Sequence, residues 1–333
     1  MCVAFWCLEH PQYALILCSN RDEYLSRPTT EAHFHSFGNV KDDTSGQGSV
    51  LSGRDLLAGG TWAGISRSGR IALLTNITEP ARKYSSSRGS LTSSFLLPTT
   101  PSTSFRDEIR TIVSQNAKYA GFNLLLLSPR SIGRHRNRTL AFDAAFLTNS
   151  GGGGTITARD LCNEERHCGG MSNGIDSQGA SEWPKVKQGI LGLQEILNTV
   201  SEDDGESELV ERLFGLLTWV STHAINQWRS NETIDRSTLR NTIQVDPITF
   251  QVPGSSDHVA KEYYGTRLST VILVRRDGST LFVERDVWTL KGDDEAKKAD
   301  ADGDRVFRFR IDPNTIEGAN NYAEQQSIKS DSV

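Results

Sequence analysis

Met1-Cys2-Val3-Ala4-Phe5-Trp6-Cys7-Leu8, then Glu9–Gln12, Tyr13-Ala14-Leu15-Ile16-Leu17-Cys18 and Asn20-Arg21-Asp22-Glu23, is the stretch whose reading decides the fold. Cys2–Leu8 and Tyr13–Cys18 are apolar runs of strand length with a turn between them, which predicts a β-hairpin. The hairpin carries the charged Asn20–Glu23 cluster back towards Cys2. A small residue after the initiator lets Met1 be trimmed, so the mature chain is expected to begin at Cys2. That residue would then hold a thiol and an α-amine together. An α-amine titrates near 7.7–8.0, so its neutral fraction can take the thiol proton, as N-terminal Thr nucleophiles do. Arg21 is expected to favour a thiolate. Cysteine at position 2 is also met by chance, and it is the hairpin and the charged cluster that raise it to a candidate nucleophile.

Outward from the hairpin, the first half reads mostly as strands. Phe34–Leu57 is polar and rich in Gly and Ser, which predicts a long loop. Thr61–Ser66 and Arg70–Asn76 form a second hairpin. Ala81–Ser104, rich in Ser, Thr and Pro, reads as irregular. Phe105–Tyr119 reads as a helix through Ile109, Ile112 and Val113. Phe122–Leu127 and Thr139–Leu147 read as strands around a basic loop, Arg130–Arg138, with a flexible break at Gly151–Gly154.

In Glu182–Leu197 the apolar residues Trp183, Val186, Ile190, Leu193 and Leu197 recur at helical steps, with Pro184 in the first turn. Ser207–Trp219 repeats the pattern after an acidic linker at Ser201–Gly205. Strands return at Ser269–Val274, Thr280–Glu284 and Arg305–Ile311. This order predicts an α+β fold and argues against an alternating βαβ one. A single domain over 1–311 is expected, followed by a polar, frayed tail over 312–333.

The formal net charge of -5 and pI near 5.9 come without a basic stripe, so nucleic acid is not an expected partner. The cysteines Cys2, Cys7, Cys18, Cys162 and Cys168 are odd in number and irregularly spaced, unlike a secreted disulfide framework. The N-terminus lacks the marks of a signal peptide, and no window reaches the ~20 apolar residues of a membrane span. A cytoplasmic protein is expected. Cys7 and Cys18 should be shielded in their strands, and Cys162 and Cys168 accessible in a polar loop. Cys162, His167 and Cys168 supply three metal-type ligands without a clear fourth, and the loop is read as one with incidental thiols.

The candidate polar cluster is Cys2, Arg21, Asp22, Asn76, Asn173 and Arg267. An Asn amide can donate to a developing oxyanion, and Asp22 can hold the amine. Six further motifs accompany the opening: Ser26-Arg27-Pro28, Gly59-Gly60-Thr61-Trp62-Ala63-Gly64-Ile65-Ser66, Leu74-Thr75-Asn76, Gly121-Phe122-Asn123-Leu124, Gly170-Met171-Ser172-Asn173 and Thr266-Arg267-Leu268-Ser269-Thr270. Together they resemble the NRDE-motif family, also called the transport and Golgi organisation protein 2 family, from Cys2 to Thr270.

The resemblance implies an N-terminal nucleophile hydrolase-like fold, a four-layer αββα sandwich with two antiparallel sheets. By analogy with the choloylglycine and penicillin V acylase branch, Cys2 is nucleophile and base, and Arg21 and Asp22 lie beside it. Asn76 and Asn173 line an oxyanion site, and Arg267 completes the cluster. In those acylases the Arg and Asp are separated by two residues, whereas Arg21 and Asp22 are adjacent. Adjacent strand residues point to opposite faces, so either the strand ends by Arg21 or only one of the pair faces Cys2.

The family role implied is Golgi organisation and secretory transport, with links to mitochondrial lipid metabolism and haem trafficking. No cofactor is implied. Cys2, His33, His35 and His167 are the residues a haem role would draw on, and their spacing is not diagnostic. The readings in competition are a Cys2-dependent amidohydrolase acting on an acyl amide, a non-enzymatic carrier of a lipid or haem-like small molecule, and a scaffold for secretory proteins. Association with Golgi or mitochondria follows from the resemblance alone.

Overall fold

The opening hairpin sets the register of the whole molecule. In the computed structural model Val3 lies opposite Asn20, Ala4 opposite Ser19 and Cys7 opposite Ile16. The structure describes residues 1–38, 48–80, 82–97, 104–133, 138–200, 205–222, 224–225, 236–249, 262–292, 295–300, 303–312 and 316. Alternation divides the hairpin between two cores. Ala4, Trp6, Leu8, Leu15 and Leu17 point one way, into a core shared with Leu51, Ile65, Leu73, Leu125 and Leu127. Val3, Phe5, Cys7, Ile16 and Cys18 point the other way, against Leu193, Ile196, Leu209 and Leu213.

The hairpin is central in an antiparallel sheet. Its order is Gly169–Met171, Val3–Cys7, Tyr13–Tyr24, Tyr263–Arg275, Ser279–Asp286 and Arg305–Arg310, with Ile248–Thr249 paired to Tyr263–Arg275. N- and C-terminal strands thus share one sheet. A second antiparallel sheet runs His33–His35, Val50–Ser52, Ala63–Ser66, Ile71–Asn76, Phe122–Ile132, Thr139–Thr148 and Thr157–Asp160. The two sheets pack face to face through the first core. A separate two-stranded ribbon pairs Trp288–Lys291 with Glu295–Lys298.

Helices cover both outer faces. Helices α1 (Arg88–Leu96) and α2 (Phe105–Val113) lie on the second sheet, where Leu91, Phe95 and Leu96 bury against Leu74, Phe122 and Leu124. A short α3 (Asn163–His167) precedes the edge strand Gly169–Met171. Helices α4 (Pro184–Thr199) and α5 (Glu206–Leu217) cover the first sheet. Leu193 and Leu213 are fully buried there, each contributing about 1.5–3 kcal/mol of burial. Gly189 lets α4 approach, because a Cβ at that position would meet the Phe5 ring at 1.8 Å. The result is an αββα sandwich, mixed α+β with two antiparallel sheets.

Several local expectations are corrected. Phe34–Leu57 contains the strand Val50–Ser52 and most of His33–His35, paired to each other. Ala81–Ser104 contains α1, which tertiary burial stabilises despite its many Ser and Thr residues. The helix at Phe105 stops at Val113 rather than Tyr119. The strand at Phe122 continues to Ile132, into the supposed basic loop. The acidic linker at 201–204 and nearly all of the tail from 313 onward lie outside the described residues.

Candidate functional site

Each residue of Asn20-Arg21-Asp22-Glu23 has a different task, because the strand Tyr13–Tyr24 runs through all four. Asn20 faces the helical layer and ties loops to the sheet. Its Nδ2 donates to the carbonyls of Leu217 at 2.9 Å and Ile243 at 3.1 Å, and its Oδ1 accepts from Ser269 at 2.6 Å. Asp22 faces the same way. Its Oδ1 accepts from the Thr266 hydroxyl at 2.7 Å, and its Oδ2 lies 3.0 Å from the Met1 amine.

Arg21 points into the space between the sheets, on the face that Cys2 shares when the hairpin ladder is continued by one pair. Its guanidinium carbon sits 4.0 Å from the centroid of the Trp62 ring. The strand therefore has not ended at Arg21, and the adjacent pair does divide between faces. Arg21 shares the thiol's side, and Asp22 reaches the chain's amine from the other. Opposite them a bulge between Thr266 and Leu268 leaves Arg267 as the extra residue.

The N-terminus is buried at this point. The Met1 amine donates to the Tyr264 hydroxyl as well as pairing with Asp22, and Tyr264 in turn donates to the Asp22 carbonyl at 3.2 Å. Lys185, fully buried on α4, donates to the Met1 carbonyl at 2.6 Å. The Met1 side chain packs with Leu239, Val245 and Ile248. Burial lowers the Met1 amine from its ordinary range, and it pushes Lys185 down to about 8. Desolvation disfavours a cation whatever its neighbours.

Cys2 is half-buried, with its Sγ 3.6 Å from the Asp22 carbonyl and its own carbonyl accepting from Ser172 at 2.8 Å. Burial raises the thiol above its ordinary value, outweighing the downward pull of the Met1 amine and, more weakly, of Arg21. The expected thiolate-favouring neighbours are thus present, and desolvation wins over them while Met1 is in place.

Two cavities meet at Cys2. The larger, about 260 Å³, is lined by Met1, Thr78, Asn173 and Tyr264 among others. The smaller, about 140 Å³, is lined by Arg21, Arg27, Thr61, Trp62, Ser87 and Gly89 among others. Cys2, Asp22, Glu23, Asn76 and Arg88 line both. Cys2, Arg21, Asp22, Asn76 and Asn173 are therefore gathered around one cleft. Asn173 is held there by donating to the Asn76 carbonyl and accepting from Ser172 at 3.1 Å. Arg267 lines neither cavity. It stands behind Arg21, donates to the Arg27 carbonyl, and is lowered by burial to about 10.

The sequence reading did not single out Lys185, Tyr264 or Arg88. Lys185 had a signal: it falls on the buried stripe of Gly189, Leu193 and Ile196, where a lysine is out of place. Of the thiols, Cys162 is exposed as expected, whereas Cys168 is buried, which pushes it to about 12. His33, His35 and His167 line neither Cys2 cavity. No group of three or more metal-type ligands occurs among the described residues. No helix among them is long and apolar enough to cross a membrane.

The family described as Transport and Golgi organisation 2 matches residues 1–289. The human Transport and Golgi organization protein 2 homolog is 38% identical over 117 residues, a segment that is 34% of this chain and 38% of the relative's length. The Drosophila melanogaster Transport and Golgi organization protein 2 is 26% identical over 312 residues, covering 91% of this chain and 98% of its own. Among solved structures, a Caenorhabditis elegans ortholog of N-acylethanolamine-hydrolyzing acid amidase is similar with a TM-score of 0.42 and 10% identity, over 81% of this chain and 92% of that one. A mutant conjugated bile acid hydrolase from Clostridium perfringens gives 0.40 and 10%, over 94% and 98%.

Proposed function

We propose, from the premise that this chain belongs to the Transport and Golgi organisation 2 family, that it hydrolyses an acyl amide through Cys2, in the service of the transport and Golgi organisation for which its relatives are named. One observation carries the reading. The Cys2 thiol lies where two cavities join, beside a buried amine that a carboxylate holds in place.

Trimming Met1 removes that amine and, by cleaving the Met1–Cys2 peptide bond, frees the nitrogen of Cys2 as the new α-amine beside the thiol. It also opens the larger cavity towards Lys185 and the apolar cluster of Leu239, Val245 and Ile248, where an acyl chain can seat. The amine then takes the thiol proton and the sulfur attacks the amide carbonyl. The Asn76 side chain, which lines both cavities, donates to the oxyanion. The amine returns the proton to the leaving nitrogen, and water releases the acid from the thioester.

The raised thiol value favours a second reading, in which the same cleft carries a lipid or haem-like molecule without reacting. A panel of N-acyl amides of graded chain length separates the two. Hydrolysis by the native chain that Cys2→Ala abolishes supports the enzyme. Binding of the panel with equal affinity by both chains and no turnover supports the carrier.

A further inference from the structure

We infer that the smaller cavity receives a small oxyanion, a carboxylate or its like, carried by the molecule whose reacting bond lies over Cys2. This deepens the Cys2-centred reading and depends on it only for the position of the rest of the ligand. The primary observation is Arg21. Its side chain is 5% exposed, yet Nη1 has no hydrogen-bond partner. A guanidinium stays charged in any protein environment, and burying an ion without a partner is costly. The Trp62 face 4.0 Å from the guanidinium carbon restores only part of that cost.

A second, independent observation lies across the cavity. Helix α1 starts there with Ser87 making no side-chain cap bond and no acidic residue in its first turn. The N–H groups of its first turn and its positive dipole end suit an anion. The turn at Gly60 closes the wall. Gly60 has φ of 74°, and a Cβ there would meet the Gly89 carbonyl oxygen at 2.4 Å. That close approach holds the helix start against the cavity. Arg88 adds a cation that donates to the Gly121 carbonyl at 2.9 Å and, like Arg21, has no carboxylate at ion-pair distance among the described residues.

Two of the acids in the lining are already paired, Asp55 with Arg27 at 2.9 Å and Asp22 with the Met1 amine. Glu23 stands against Arg21 and Arg88 together, so one carboxylate faces two guanidiniums. Positive charge is left over, and a volume of about 140 Å³ suits a group of a few heavy atoms.

The test compares two alkylating reagents at Cys2 by peptide mapping, anionic iodoacetate and neutral iodoacetamide, with β-mercaptoethanol as the reference thiol in the same buffer. An oxyanion seat should raise the iodoacetate-to-iodoacetamide ratio at Cys2 above the reference by about tenfold or more, the equivalent of one charge-assisted hydrogen bond. Inorganic phosphate and acetate, added in separate arms, should return the ratio to the reference, and the stronger competitor identifies the preferred oxyanion. Arg21→Gln should lower the ratio. Arg88→Gln, on the helix start, should lower it too and serves if the first variant does not fold.

A ratio equal to that of the reference thiol overturns the inference. If Cys2 resists both reagents, the Tm under added phosphate decides. A rise in the native chain that Arg88→Gln loses supports the seat, and no rise overturns it. Alkylation needs no turnover. Anion-selective labelling in a chain inert to every acyl amide would sink the hydrolase reading and leave the oxyanion seat standing.

Discussion

On the Met1 side of Cys2 the amine, Asp22, Thr266, Tyr264 and Lys185 are linked by an ion pair and hydrogen bonds, each cation facing an oxygen. On the Arg21 side a guanidinium equally far from water faces an aromatic ring and an open cavity. Both walls come from one strand, and alternation alone sends Asp22 to one and Arg21 to the other. The difference teaches that burial of charge does not by itself identify function. A satisfied buried ion anchors the chain end, whereas an unsatisfied one is held ready for something that arrives.

Stability measurements can break this contrast. Asp22→Asn removes the carboxylate from a buried amine and should cost about 3–5 kcal/mol in denaturant unfolding. Arg21→Met replaces an unpartnered buried cation with an apolar side chain of similar length and should leave stability unchanged or raise it, by up to about 1–4 kcal/mol. Equal losses in the two variants would mean that both walls are structural anchors.

A smaller, pH-dependent effect sharpens the Met1 side. While Met1 is in place, burial brings Lys185 to about 8 in the folded chain, against an ordinary value of 10.5, so the measurement uses chain that retains Met1. The unfolded chain therefore holds this proton to higher pH, and folding stability gains as pH climbs from about 8 towards 10.5. Below that window the buried cation weighs against folding. Lys185→Met should abolish the gain, so the stability of the native chain relative to the variant should grow across the window by a few kcal/mol, at roughly 1.36 kcal/mol per pKa unit. A pH-independent difference would mean that Lys185 is not desolvated as its surroundings indicate.

What the sequence disclosed follows the same physics. The hairpin was legible because apolar runs of strand length frame a turn, and α4 and α5 because their apolar residues recur at helical steps. The gathering of Cys2, Arg21, Asp22, Asn76 and Asn173 was legible only through the ordered motifs, since spacing says nothing about residues so far apart. Helix α1 was hidden because Ser and Thr dominate it and only Leu91, Phe95 and Leu96 reach the core. The strands at His33 and Val50 were hidden by their shortness within a polar stretch. The bulge that sets Arg267 behind Arg21 leaves no mark in composition, because it depends on the register of two strands over two hundred residues apart. The raised thiol of Cys2 was illegible for a related reason. Neighbouring charges can be read from a motif, and desolvation cannot.

The chemistry of Cys2 is tested most directly by the intact mass and N-terminal peptide of the purified native chain, before and after exposure to an activated acyl ester. The expected result is a chain lighter by one methionine residue that gains a single acyl group mapped to Cys2 and sheds it on standing in water. A chain that keeps Met1 and takes up no acyl group at Cys2 would contradict the nucleophile and leave a cleft that only binds.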